Sequence, residues 1–215
     1  MRIDRIRSFF STATNWPSID SQIGEYSRYL KGNVLNAGAG DRDISHIVEG
    51  KLFNQDIPLG IHNKNIHIYS PLHKIPVKDD YFDAIVCNAV LEHVENPMAV
   101  MQEFFRVLKK GGYLYLAVPF LQPEHLDPTD FQRFTKDGLK KIVEDNHFEI
   151  VSIEGFLNVY HTISWIIQEW LTSKQTVTYR AMRYLFFPLL RYQCKHSKTH
   201  VHSISSAYRV LAKKA

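Results

Sequence analysis

The chain has 215 residues, of which 45% are hydrophobic and 22% are charged, and its formal net charge at pH 7 is +4. These proportions are typical of a globular domain and exclude wholesale disorder, while the charge is too small to argue for a nucleic-acid-binding protein. Two cysteines far apart in the chain, Cys87 and Cys194, form no disulfide framework, so we expect a cytoplasmic protein. The charged N-terminus does not resemble a signal peptide, and we expect no transmembrane helix.

The first ninety residues contain short apolar runs bounded by turn residues, which are typical of buried strands. They predict four strands, at residues 34–37, 52–57, 66–69 and 82–87. The first run leads into Gly38-Ala39-Gly40, where glycine permits unusual dihedral angles and close approach of a ligand. Asp56 comes at the end of the second run.

The next segment has clear helix signals. Asn96 is a suitable N-cap, Pro97 suits the first helical position, and Gly111-Gly112 is expected to stop the helical run. Thr135 is expected to cap a second helix. Further strands are predicted at 113–118, 148–153 and 207–211. Strands that alternate with helices predict an α/β fold, a Rossmann-like, seven-stranded and mostly parallel sheet with helices on both faces.

The domain prediction is one core with two additions. Residues 1–32 are interpreted as an N-terminal helical arm, 33–155 as the core, 156–203 as a helical insertion, and 204–215 as the last strand of the core. The insertion is rich in aromatic residues, and three roles remain open for it: a lid over a substrate, a homodimer contact, or a peripheral membrane contact through 179–192. Pro188 is expected to break the helix there.

The charges beside the first glycine turn bear on the type of cofactor. A dinucleotide-binding fingerprint needs a small residue at position 43, where this chain has Asp43. Asp41 would also repel a pyrophosphate. A cofactor that carries a sulfonium and an ammonium group meets no such repulsion, and Asp56 is positioned to accept hydrogen bonds from a ribose diol. The turn therefore favours an adenosyl amino acid over NAD.

Four motifs occur in order along the chain. They are Val34-Leu35-Asn36-Ala37-Gly38-Ala39-Gly40, Phe82-Asp83-Ala84-Ile85-Val86-Cys87, Val90-Leu91-Glu92-His93-Val94 and Arg106-Val107-Leu108-Lys109-Lys110-Gly111-Gly112. Together they resemble the class I S-adenosylmethionine-dependent methyltransferases, in the group that includes many small-molecule methylating enzymes. The resemblance covers residues 30–155 and the last strand.

The resemblance implies S-adenosylmethionine as cofactor and a set of cofactor-binding residues. Those near the methionine end and the reacting methyl would be Asn36, Ala37, Gly38, Gly40, Asn88, Ala89 and His93. Those near the ribose and adenine would be Asp56, Ile57, Pro71 and Leu72, with His73 adjoining them. The family usually has an acidic residue where this chain has Asn36 and Pro71. Asn36 keeps the hydrogen bonding but loses a charge near the ammonium group of the cofactor, and at Pro71 one adenine contact is lost or made by the backbone alone.

A second cluster, residues 123–135, follows the predicted fifth strand and resembles a stretch found in a subset of small-molecule methyltransferases. His125 is the first choice for a general base and His93 the second, because neutral histidine accepts a proton near pH 7. Substrate contacts are expected from Asp127, Asp130, Arg133 and Tyr160. An alternative for Asp130 and Arg133 is an ion pair with each other that fixes the loop.

The leading hypothesis is an enzyme that methylates a small-molecule acceptor, with oxygen preferred and nitrogen or carbon as alternatives. The rivals are a non-catalytic, methyltransferase-like binding or scaffold protein and an NAD-dependent oxidoreductase. No metal is expected, because Cys194, His196, His200 and His202 do not have the spacing of a standard zinc motif.

Overall fold

The computed structural model describes residues 13–14, 16–58, 65–126, 129–174, 176–198 and 201–215. These residues form two compact units. The core unit contains the described residues of Pro17–Pro119, Leu126–Glu154 and Tyr208–Ala215. The helical unit contains the described residues up to Trp16 together with those of Phe120–His125 and Gly155–Ala207.

Within the described ranges, seven strands form one sheet in the order β3-β2-β1-β4-β5-β7-β6. They are β1 Lys31–Ala37, β2 Glu49–Asp56, β3 Ile68–Tyr69, β4 Phe82–Asn88, β5 Leu108–Pro119, β6 Phe148–Phe156 and β7 Ala207–Lys214. Strand β1 lies between β2 and β4 and is parallel to both, while β2 is parallel to β3 and β4 to β5. The predicted Rossmann-like sheet is confirmed.

The core unit is built on the apolar central strands and on the segment before β1. Helix α1 (Ile19–Ile23) continues into a 3-10 helix, Gly24–Tyr29. Ile23 and Tyr26 of this segment are buried in one cluster with Val86 and Tyr115 of the sheet. These residues of the predicted arm therefore contribute to the core of the sheet rather than standing apart from it.

Helix α2 (Pro97–Val107) and helix α3 (Lys136–Asp145) begin directly after the predicted N-cap residues, Asn96 and Thr135. The Asn96 side chain accepts a hydrogen bond from the Ala99 N–H at 3.0 Å, and the Thr135 hydroxyl accepts one from the Gly138 N–H at 3.1 Å. Each bond satisfies one of the N–H groups that a helix start leaves without a backbone partner.

The prediction that Gly111-Gly112 ends helix α2 was wrong. The helix ends at Val107 and β5 begins at Leu108, so Gly111 and Gly112 lie inside a strand. The β4–β5 register is irregular between Phe82 and Ala84, and a Cβ on Gly112 would come within 2.9 Å of the Asp83 carbonyl oxygen. Gly112 therefore permits the close approach of two strands, and Gly111 permits the positive φ of +79° at this position.

The helical unit contains α4 (Val159–Thr172) and α5 (Val177–His196). Their shared apolar cluster includes Leu171, Phe187 and Leu190. Asn158 caps α4 by accepting from the Tyr160 N–H at 3.1 Å, and its amide group donates to the Cys194 carbonyl at 2.8 Å. One buried side chain thus joins the start of α4 to the end of α5.

The expectation that Pro188 breaks this helix was also wrong, because α5 continues through it. Proline cannot donate to the carbonyl four residues earlier, at Tyr184, so one backbone hydrogen bond of the helix is lost there. Burial of Phe187 and Leu190 stabilises the helix across the proline. Among the described residues, no helix is long and apolar enough to cross a bilayer.

Candidate cofactor site

A cavity of about 420 Å³ lies in the core unit at the carboxyl ends of β1, β2 and β4. This is the edge at which open parallel sheets bind ligands, and the volume is that of a small-molecule site. The lining residues are Gly38, Gly40, Arg42, Gln55, Asp56, Ile57, Pro71, Leu72, His73, Ala89, Val90, His93, Val94, Glu95, Asn96 and Val100.

The glycine turn after β1 forms one wall and requires glycine. Gly38 has φ +63° and Gly40 has φ +53°, both in the left-handed region. A Cβ on Gly38 would lie 2.6 Å from the side chain of Val90. The Gly38 N–H donates to the side-chain oxygen of Gln55 at 3.0 Å. The turn is therefore fixed against β2, with its backbone open to a ligand.

Asp56 stands at the end of β2, beside this turn. Its Oδ2 accepts from the Gly40 N–H at 2.7 Å, and its Oδ1 accepts from the Ile57 N–H at 2.7 Å. An ionised carboxylate has about four acceptor positions, so it retains capacity for a diol after these two bonds. The carboxylate is thus held in a defined orientation at the cavity wall.

Arg42 supplies a positive charge in the same wall. Its Nη2 donates to the Gly38 carbonyl at 2.9 Å, and its Nη1 donates to the Asn88 carbonyl at 2.5 Å, so the guanidinium joins the ends of β1 and β4. Neither Asp41 nor Asp43 lines the cavity. Of the three acids named from the sequence, only Asp56 lines the cavity, and the positive charge of Arg42 was not anticipated.

The opposite wall follows β4 and begins at a strained residue. Ala89 has φ +53°, which a residue with a Cβ rarely adopts, and its N–H donates to the Ala117 carbonyl at 2.8 Å. Such conformations persist where the surrounding structure imposes them and are concentrated at functional sites. The strain turns the chain away from the sheet immediately before the next lining residues, Val90 and His93.

His93 lies in a 3-10 turn, Leu91–His93, with its ring in a defined orientation. Its Nδ1 is 2.5 Å from the Thr129 carbonyl oxygen. Because a carbonyl only accepts, Nδ1 carries the proton and Nε2 is the basic nitrogen of the neutral ring. His93 Nε2 lies 3.7 Å from Oε1 of Glu92.

The Glu92 side chain is fully buried, and this burial raises the pKa of its carboxyl to about 7. The nearby positive charges of His93 and Arg133 lower the pKa, while Asp130 raises it. Desolvation is the largest of these effects. Near neutral pH the buried Glu92 carboxyl therefore holds its proton more often than an ordinary glutamate does.

The structure brings together most of the predicted cofactor residues. Gly38, Gly40, Asp56, Ile57, Pro71, Leu72, Ala89 and His93 line the cavity, as does the adjoining His73.

Three of the predicted cofactor residues do not line the cavity: Asn36, Ala37 and Asn88. The Asn36 amide donates to Asn54 of β2 at 3.0 Å, Ala37 is fully buried, and Asn88 offers its carbonyl to Arg42. Successive side chains of a strand point to opposite faces, which a motif match does not resolve.

Sequence reasoning missed several lining residues: Arg42, Gln55, Val90, Val94, Glu95, Asn96 and Val100. Gln55 and Arg42 adjoin predicted residues and could have been found from that proximity. Val94, Glu95 and Asn96 belong to the connection before α2, and only the capping role of Asn96 is visible in the sequence.

The residues expected on the acceptor side have different surroundings. Arg133 forms a two-bond ion pair with Asp130, whose side chain is nearly fully buried, so the alternative of an ion pair is what the structure contains. His125 belongs to the helical unit, where its ring centroid lies 5.5 Å from that of Trp165. Tyr160 is half-buried in the first turn of α4, and Asp127 lies outside the described residues.

Known proteins resemble this chain in sequence over its central part. Residues 53–116 match the family model of a methyltransferase domain. An uncharacterized protein of Methanocaldococcus jannaschii is 33% identical over 96 residues, which are 41% of this chain and 44% of that protein. The chain thus matches less than half the length of this curated relative.

Solved structures resemble the fold over nearly the whole chain. An S-adenosylmethionine-dependent methyltransferase from Archaeoglobus fulgidus has a TM-score of 0.58 at 18% identity, with 91% of this chain and 93% of that chain covered. The (4+2)-cyclase SpnF has a TM-score of 0.61 at 17% identity, with 91% and 80% covered. The sheet and cavity define a Rossmann-like α/β protein. In its ordered motifs and its fold the chain is similar to class I S-adenosylmethionine-dependent methyltransferases, and the family model of a methyltransferase domain matches its central part.

Proposed function

We propose that the chain transfers the methyl group of S-adenosylmethionine to a small-molecule acceptor, with an oxygen acceptor preferred. The observation that supports this most is the cavity at the strand ends, in which the glycine turn, Asp56 and Arg42 lie together. Rossmann-like neighbours include a cyclase as well as methyltransferases, so the fold alone does not identify the reaction.

The lining residues fit the chemical groups of this cofactor. The oriented carboxylate of Asp56 would accept hydrogen bonds from the ribose hydroxyls. The guanidinium of Arg42 would pair with the carboxylate of the methionine portion, since arginine suits planar anions. Gly38 and Gly40 leave room for the ligand to meet the backbone. The apolar residues Leu72 and Val100 would contact the adenine.

S-adenosylmethionine, when bound, supplies an electrophilic methyl group. The chain must then hold the acceptor in line with that group, and correct placement accounts for much of the rate. As the bond from the acceptor oxygen to the methyl carbon forms and the carbon–sulfur bond breaks, the hydroxyl proton must leave. Nε2 of His93 would accept it, and the Glu92 carboxylate 3.7 Å away would stabilise the resulting imidazolium.

His125 remains the alternative base, and Asp127, Asp130, Arg133 and Tyr160 remain proposed acceptor contacts. For Asp130 and Arg133, their mutual ion pair supports a role in fixing the loop beside Glu92 rather than direct contact. Nitrogen or carbon acceptors would need a different proton path but the same cavity.

A second candidate function is a methyltransferase-like binding protein without catalysis. It is favoured by the two departures at Asn36 and Pro71, because each removes an acidic group that the family usually has. An NAD-dependent oxidoreductase is a weaker candidate, since position 43 lacks the small residue of the dinucleotide fingerprint.

Isothermal titration calorimetry of the protein freed of bound ligand tests the cofactor assignment. We expect saturable binding of S-adenosylmethionine and S-adenosylhomocysteine and none of NAD. Transfer of a labelled methyl group to a panel of alcohols, phenols and amines then tests catalysis and the acceptor atom. Cofactor binding without transfer to any acceptor would favour the binding protein, and no heat with either ligand would contradict the assignment.

A further inference from the structure

The outward side of α5 exposes a row of large apolar side chains. The exposed fractions are 63% for Tyr184, 70% for Leu185, 56% for Leu189 and 59% for Tyr192. Their spacing of one, four and three residues places them on one side of the helix. The opposite side carries Phe187, Leu190 and Cys194, which are buried in the helical unit.

Positive charge borders this row. Arg180, Arg191 and Lys195 are spaced eleven and four residues apart, which places them on one edge of the same helix, in line with Tyr184. Arg183 differs, because it donates to the carbonyls of Leu171 and Lys174 within the helical unit. The chain has no Asp or Glu after Glu169. The segment that contains α5 therefore has a net positive charge.

The positive charge beside the apolar row distinguishes between two partners for the exposed side of α5, a second copy of the chain and an anionic lipid surface. A two-fold dimer through α5 would place the same patch of each copy against the other, and so would bring like charges together. An anionic lipid surface attracts the same cations and accepts the apolar side chains at the boundary of its acyl region. We propose that the outward face of α5 binds the surface of an anionic lipid bilayer, with the helix lying in the plane of the interface.

The basic edge and the apolar row make separate contributions to this binding. Lys and Arg residues near an anionic leaflet are attracted over roughly one Debye length, so added salt weakens them. Exposed Leu and Tyr side chains add contact area that depends little on salt. Binding should therefore need both features, and it does not depend on the proposed methyl transfer.

Co-sedimentation with lipid vesicles tests the proposal. The full chain should bind vesicles of phosphatidylcholine and phosphatidylglycerol in equal parts, should bind pure phosphatidylcholine vesicles far less, and should be released by salt. The double variant Arg180→Gln/Lys195→Gln should bind the mixed vesicles about 30-fold more weakly. The variant Leu185→Ser/Leu189→Ser should also bind weakly, even at low salt.

Matched controls come from the core unit. Lys110→Gln/Lys136→Gln removes two exposed cations elsewhere, and Val151→Ser removes an exposed apolar residue of β6, so both should bind as the native chain does. Circular dichroism and thermal melting check that every variant is folded. Absence of binding, equal binding to both vesicle types, or loss of binding in the controls would overturn the proposal. So would a lipid-free dimer that Leu185→Ser/Leu189→Ser abolishes in sedimentation velocity.

Discussion

The backbone N–H of Gly40 donates to Oδ2 of Asp56 at 2.7 Å, and this bond joins the turn after β1 to the end of β2. The substitution Asp56→Asn keeps the shape but removes the charge that would hold the ribose. We expect the affinity for S-adenosylhomocysteine to fall about 10-fold or more, as for loss of a charged hydrogen bond. Calorimetry measures it, with the exposed Asp137→Asn in α3 as the control. Equal affinities in the two variants would remove Asp56 from the cofactor site.

Gly38→Ala should damage both the fold and the site. The new Cβ meets the Val90 side chain at 2.6 Å, and φ is +63°, so we expect a loss of about 2 kcal/mol in the free energy of unfolding and loss of cofactor binding. Gly40→Ala meets no atom within 4 Å and should cost only about 1 kcal/mol. Gly24→Ala, at φ −55° and also without a close neighbour, should be neutral or slightly stabilising in urea unfolding.

The buried Glu92 gives stability a pH dependence of definite sign. In the unfolded chain its carboxyl ionises near the ordinary pKa of 4.5, but in the folded protein the pKa is about 7. Between these values the folded state holds a proton that the unfolded state has released, so the contribution of Glu92 to stability falls as pH rises through that window.

Glu92→Gln cannot ionise and removes this penalty. We expect the variant to be more stable than the native chain near pH 8, by about 3 kcal/mol at most, and of similar stability near pH 5. Thermal melting at both pH values measures the difference, with the exposed Glu149→Gln of β6 as the control. A variant that is less stable near pH 8 would show that the carboxylate is needed in its charged form.

His93→Gln should lower turnover by about two to four orders of magnitude and abolish the acidic limb of the pH–rate profile, because the base would be lost. Affinity for S-adenosylhomocysteine should change much less. His125→Ala is the matched comparison. If turnover falls in His125→Ala and not in His93→Gln, the role of base passes to His125; if neither variant loses turnover, histidine general-base catalysis is rejected.

The features that could be predicted from the sequence are those that depend on residues close together in the chain. Strands β1 and β4 are buried on both faces and therefore read as apolar runs. Asn96 and Thr135 fix the starts of α2 and α3 because capping is a short-range interaction. The glycine turn and Asp56 were found because the ends of neighbouring parallel strands meet at one edge of a sheet.

The features that could not be predicted depend on contacts between distant residues. Pro188 is tolerated within α5 because Phe187 and Leu190 are buried against the rest of the helical unit, and no local rule contains that burial. From the sequence, Gly112 indicates the end of a helix as readily as it indicates a close contact between two strands. Arg42 is held in the cavity wall by the carbonyls of Gly38, in the turn after β1, and of Asn88, the last residue of β4, which are far apart in sequence.

The position of β7 between β5 and β6 has a consequence for synthesis of the chain. Strand β6 leaves the ribosome before β7, yet it reaches the sheet only through β7. Until Ala207–Lys214 has emerged, β5 presents an unpaired edge and β6 has no neighbour to bond with. Nascent chains that are halted before Ala207–Lys214 emerges should therefore associate through the exposed edge of β5 and bind chaperones. At that stage the strands that form the cavity have already been made.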